Sequence, residues 1–285
     1  MTLQPGALLT LEVYAGGSTS GFVLSSGEDE IVSSGGVASD TMISAGGFEE
    51  VFSGGVASGT VVSSGGEEFV EPGGVASGSV VSSGGVEDVF SGGVASGSVV
   101  SSGGRVELPV TNALSGTPSV IDGVTLQPGA LLTLEVYAGE STSGLVLSSG
   151  DSEVVESGGT ASGTIVDSGG FLELAGGANA VATTLNAGAE LAIFGGYVLS
   201  DFVVSSGITL FVESGGTASD TIVSSGGVED VFSGGLASGS VVSSGGRVEL
   251  PVTNALRARP EIIESTFDRV TYGFTTTFEY HMLWW

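Results

Sequence analysis

Apolar positions along the chain come in short bursts divided by glycine pairs. In Gly54–Pro72, GGVASGTVVSSGGEEFVEP, and in Gly73–Ser91, GGVASGSVVSSGGVEDVFS, valine and its neighbours form runs too brief for any helix. Paired glycines every eight to eleven residues would each cost a helix about 1 kcal/mol relative to alanine, while Val, Thr and Ile favour the pleated state. The pattern therefore predicts strands joined by tight glycine turns.

The bursts are periodic. Glycine pairs begin at Gly35, Gly54, Gly73 and Gly92, and a second series begins at Gly46, Gly65, Gly84 and Gly103, each advancing by one constant step. One unit thus reads as a coil of two short strands and two glycine turns. Two short strands cannot hide their apolar sides alone, so consecutive coils must stack and pair in parallel. The fold class this predicts is all-β, a right-handed parallel β-solenoid of about 19-residue coils.

Alternation within the strand assigns its faces. Thr60 and Val62 fall on one side, as do Ser79 and Val81, Ser98 and Val100, Thr164 and Val166, Thr221 and Val223, and Ser240 and Val242. These are expected to point inward, with Ala57 and its equivalents at a corner, since small and β-branched residues suit a narrow core.

A longer repetition lies over the first. Residues 2–27 match 125–150 except at Gly17/Glu140 and Phe22/Leu145, and residues 84–114 match 226–256 except at Val94/Leu236. The two offsets differ by one coil, so the array is modular. Irregular coils with longer loops are expected at about 105–135 and 171–212, the first of which holds Pro109, Pro118 and Pro128.

The array is expected to run over 1–256, with 257–285 a divergent tail. Met1 aligns with Val124, inside an internal unit, and the long match stops after Leu256, where SGTPSVIDG in the first copy becomes RARPEIIES in the second. Both ends are therefore read as those of a fragment, and the tail as a cap, the start of another domain or an out-of-frame segment. It holds three of the five arginines, both tryptophans and His281.

Composition narrows the function. With 32 acidic residues against 5 basic ones and a net charge of -27, the chain would repel nucleic acid and anionic membrane surfaces. There is no cysteine, and the single histidine is His281, so thiolate chemistry, histidine zinc sites and Ser-His-Asp catalysis lack their parts. No catalytic, cofactor-binding or metal residue is assigned. Among the acids, Glu49, Glu68 and Glu87 recur at the same step as the glycine pairs, and Glu50, Asp88 and Glu107 form the neighbouring column, interrupted by Phe69. A catalytic site is a singular constellation and these acids repeat, so they are read as a solvated acidic face. Glu49, Glu68 and Glu87 are the weak Ca²⁺ candidates.

The unit GG-x-A-S-G-T-x-V-S-S-GG-x-x-x-V resembles the passenger repeat of AIDA-type autotransporter adhesins over roughly residues 15–256. The resemblance implies a non-enzymatic array displayed at the cell surface or secreted. It would act in adhesion, autoaggregation or biofilm formation, with a host surface, a neighbouring cell or itself as partner. It also implies a glycosyltransferase partner and O-linked heptose on repeat serines, at Ser58, Ser77, Ser96, Ser162, Ser219 and Ser238. The export signal and translocator barrel expected of that family are absent from this chain. The alternatives are a β-helical polysaccharide-binding or polysaccharide-degrading protein, and a mechanical spacer stalk.

Overall fold

A computed structural model describes residues 8–111, 113–116, 118–250 and 271–272. The chain forms two compact units, Met1–Glu135 and Val136–Trp285. Among the described residues there is no helix, and both units are parallel β-solenoids. The divergent tail, His281 and the tail arginines lie outside the described residues, apart from the short strand Thr271–Tyr272.

Each coil has three strands where the sequence pattern indicates two. A regular coil carries a long strand such as Glu67–Val70, a three-residue strand such as Val75–Ser77 and a two-residue strand such as Val80–Val81. The last two read as one run in the sequence. They are split by a residue at positive φ, Gly78 at 72°, whose counterparts in other coils include Asp40, Asp201 and Asp220 at 54–55°. Asp is among the few non-glycine residues that enter this region readily, so the corner survives where glycine is lost.

In the first unit, as far as Arg105, the register advances by one sequence repeat at each ladder step. Phe48, Glu67 and Val86 pair in the long ladder, Val56, Val75 and Val94 in the second, and Val61, Val80 and Val99 in the third. Backbone hydrogen bonds continue around the corners, as from Gly35 N–H to the Gly54 carbonyl at 2.8 Å and from Gly54 N–H to the Gly73 carbonyl at 2.8 Å. The core is a narrow tube of columns. Val51, Val70, Ala57, Ala76, Thr60, Ser79, Val62 and Val81 are all without solvent exposure, which places the Thr/Ser and Val columns inside as alternation predicts. Burying each such valine contributes about 1.5 kcal/mol or more.

The glycine pair is required twice over, for different reasons. Gly73 sits at φ +82°, where a side chain is strained. Gly74 has an ordinary φ, but a Cβ there would stand 2.1 Å from the Val51 carbonyl oxygen of the adjoining coil. The first glycine turns the chain, and the second lets one backbone lie against the next.

The irregular stretch at 105–135 is as expected. Arg105 pairs with Leu131, so that coil is longer than its neighbours, and the surplus forms an antiparallel pair between Val120–Ile121 and Val124–Leu126. The stretch at 171–212 is corrected. Phe171, Glu190 and Thr209 keep the regular step, with no lengthened loop. What changes there is lateral pairing. In the second unit, Asn179–Val181 and Thr184–Leu185 end their ladders, and Val198–Ser200 and Val203–Val204 begin new ones, while the long ladder continues.

The clash at Gly74 leads to a direct expectation. Gly74→Ala should lower stability by about 1–3 kcal/mol without altering the strand content of the remaining coils, read as a lower melting temperature with an unchanged circular dichroism spectrum in the cold.

Candidate functional site

The carboxylate column is the first feature that differs from its sequence reading. Glu49, Glu68 and Glu87 are not a solvated face: with Glu30 they are fully buried, each at 0% exposure. The register pairs Glu30 with Glu49, Glu49 with Glu68 and Glu68 with Glu87, so four acidic side chains stack inside the first unit at successive ladder steps. Strand geometry forces this placement. Glu68 lies two residues before Val70, and residues two apart share a face, so burying the valine buries the glutamate. That alternation was visible in the sequence, where the repetition of charge outweighed it.

The hydroxyl columns make the burial tolerable. Thr41 Oγ1 donates to Glu30 Oε2 at 2.8 Å, Thr60 Oγ1 to Glu49 Oε2 at 2.8 Å, and Ser98 Oγ to Glu87 Oε1 at 2.9 Å. Each donor lies eleven residues after its acceptor, immediately before the third strand of the same coil. Glu68 has neither carboxyl oxygen hydrogen-bonded, and one oxygen of each of Glu30, Glu49 and Glu87 is also unpartnered. Burial pushes the Glu49 carboxyl up to about 8 against the pull of Thr60, with the Glu30 charge adding to the rise. Glu87 is raised to about 7 by burial, opposed by Ser98. Glu68 is raised well above the usual range by burial first, then by Glu87 and Glu49, against a smaller pull from the nearby Ser79 and Thr60 hydroxyls, neither of which reaches it in hydrogen-bond geometry.

The second unit uses the same device singly. Glu153 accepts from Thr142 and from Thr164 Oγ1, the latter at 2.9 Å, and Glu229 accepts from Thr221 Oγ1 at 2.8 Å and Ser240 Oγ at 3.3 Å. Their ladder neighbours Leu172 and Leu210 are apolar. Burial raises both carboxyls and the hydroxyls lower them. Further along, Leu191 takes the place of the glutamate, and the position eleven residues on is Phe202.

The outer acidic column is as the spacing indicates. Glu50, Phe69, Asp88 and Glu107 pair in succession and are partly exposed. Asp88 is raised to about 7, by burial first and then by Glu107, Glu135, Glu71 and Glu67. Among the described residues, no group of three or more His, Cys, Asp or Glu is placed to hold a metal ion, Glu49, Glu68 and Glu87 included.

The serines singled out by the repeat stand on the outside. Ser58, Ser77, Ser96 and Ser238 are exposed, and Ser162 and Ser219 partly so. In the first unit they extend into one unbroken column, Ser20, Ser39, Ser58, Ser77 and Ser96. It is flanked by the outward valines Val37 and Val94 on one side and Val61 and Val80 on the other, each 37–48% exposed.

Within each unit, stacked similar coils with a buried interior and a repeated outer surface define a β-solenoid. Residues 14–66, 53–104 and 194–246 match the AIDA family, described as adhesin of bacterial autotransporter system, probable stalk. The matches cover half of the chain, and the protein belongs to that family. Among solved structures, the chain is similar to a TibC-catalysed hyper-glycosylated fragment of TibA (residues 55–350). The identity is 32% over 84% of this chain and 90% of that one, with a TM-score of 0.39. No curated protein is matched.

The hydroxyl donors set a measurable cost. Thr60→Val keeps the side-chain volume and leaves Glu49 without its donor, so it should destabilise the chain by about 1–3 kcal/mol in denaturant unfolding. The same change at the exposed Thr184 should cost less than about 0.5 kcal/mol.

Proposed function

We propose that the chain is the stalk of a surface-displayed or secreted autotransporter passenger and acts as a multivalent adhesive array, holding cells to a surface or to one another in aggregates and biofilm. The observation that carries this reading is the register. Val56, Ser58 and Val61 of one coil recur as Val75, Ser77 and Val80 in the next, so any group that recognises one coil meets the same group at every step. Weak contacts repeated in this way give avidity that a single coil lacks. A purely mechanical spacer would use the same stacking without using the outer surface.

The outward serine column is the acceptor in this reading. Ser58, Ser77, Ser96, Ser162, Ser219 and Ser238 each take a heptose from a glycosyltransferase. The support in this chain is their full or partial exposure and their recurrence at one place in the coil, interrupted in the second unit by Val181.

Two measurements test this. Beads carrying the full chain should aggregate, or retain cells, far more strongly than beads carrying a chain shortened by three coils at equal density, and equal retention by both favours the spacer. After co-expression with a heptosyltransferase, the intact mass should rise in whole heptose increments. The increments should fall when the six serines are changed to alanine, and an unshifted mass removes the acceptor role.

A further inference from the structure

The buried glutamates of the first unit stand in an arrangement that neither adhesion nor a rigid stalk requires. A column of leucines would fill the same space, as Leu172, Leu191 and Leu210 do in the second unit. Four carboxyls in one column at 0% exposure have three hydroxyl donors among them, and five of their eight oxygens are without a hydrogen-bond partner. Successive strands lie about 4.8 Å apart, close enough for a carboxyl of one coil to reach that of the next.

Among the described residues, no cation stands inside the first unit. The columns packed against the glutamates are Val32, Val51, Val70 and Val89 on their own strands, Ala38, Ala57, Ala76 and Ala95 on the second, Thr41, Thr60, Ser79 and Ser98 just before the third, and Ile43, Val62, Val81 and Val100 on it. The other charged groups nearby lie on the outer face or at the ends of the long strands. They are Glu12, Glu28, Asp29, Glu50, Glu67, Glu71, Asp88, Glu107, Glu135 and Arg105, and only the last is positive. With three hydroxyl donors and no cation among them, these columns offset only part of the cost of ionised carboxylates at Glu49, Glu68 and Glu87. Protons can offset them, because a protonated carboxyl becomes a donor and joins the next coil's acceptor.

We propose that the Glu49–Glu68–Glu87 column is a proton-dependent clasp: while its carboxyls hold their protons they hydrogen-bond coil to coil, and when they ionise the first unit loosens around them. The elevated values of Glu49 and Glu87, about 8 and about 7, fit this account. In the unfolded chain these groups titrate near their ordinary 4.5. Between that value and the folded ones the native state holds more protons than the unfolded state, so stability falls as pH rises through this window. Below the window the clasp contributes in full, and above it stability levels off at a lower value.

The experiment uses the full chain with Asp88→Asn, since Asp88 titrates in the same window from the outer face. Melting temperature should fall by roughly 5 °C or more between about pH 5 and pH 8 in this parent. The fall should be clearly smaller when Glu49→Gln, Glu68→Gln and Glu87→Gln are added, because the amides supply donors at every pH while the raised carboxyls elsewhere, such as Glu153 and Glu229, are unchanged. Equal pH slopes in the two chains would overturn the proposal. Infrared spectroscopy in heavy water at about pH 6 gives a second readout, the carbonyl stretch of protonated carboxyl groups. The band should be present in the parent and reduced by Glu68→Gln alone, which keeps the test open if the triple variant does not fold. A band unaffected by Glu68→Gln would show that the column is ionised and sink the idea.

Discussion

Within each unit everything depends on one constraint: each coil lies backbone against backbone on the next, in a register that recurs from coil to coil. The contact is so close that a methyl group at Gly74 would meet the Val51 carbonyl well inside van der Waals distance. Parallel pairing then continues even through the corners, where glycine N–H groups donate to glycine carbonyls one coil away. Because backbone, not side chain, sets the spacing, side chains can vary from coil to coil provided each keeps to its column.

That constraint explains why most of the fold was legible in the sequence. Stacked coils force equivalent residues into columns, so the constant step between glycine pairs is the architecture written out, and Thr60, Ser79, Val62 and Val81 could be placed inside from alternation alone. The third strand was not legible, since Gly78 bends a run that reads as continuous until its φ is known. Nor was the loss of lateral pairing beside Val198, because the period there is unbroken.

The glutamate column shows where two valid signals compete. Charge argues that Glu68 belongs in water, and alternation argues that it belongs with Val70. Alternation prevails because turning the strand over would expose every valine in its column, and because a hydroxyl eleven residues on reaches most of the buried acids. The serine column gave no such conflict. Ser58 and its equivalents are small, polar and on the outward face, and both signals agree.

Lateral pairing in the second unit has a mechanical corollary. Hydrogen bonds between parallel coils run along the stacking direction, so a pull in that direction is shared by the three ladders of each regular junction and transmitted through successive junctions in series. Between the coil of Thr184–Leu185 and that of Val203–Val204, the long ladder, Phe171 to Ala175 against Glu190 to Phe194, is the one ladder of the three that remains, helped by the corner bond from Gly188 N–H to the Gly207 carbonyl. Under load this joint yields before its neighbours, and the unit comes apart at a chosen seam while the coils on either side stay wound.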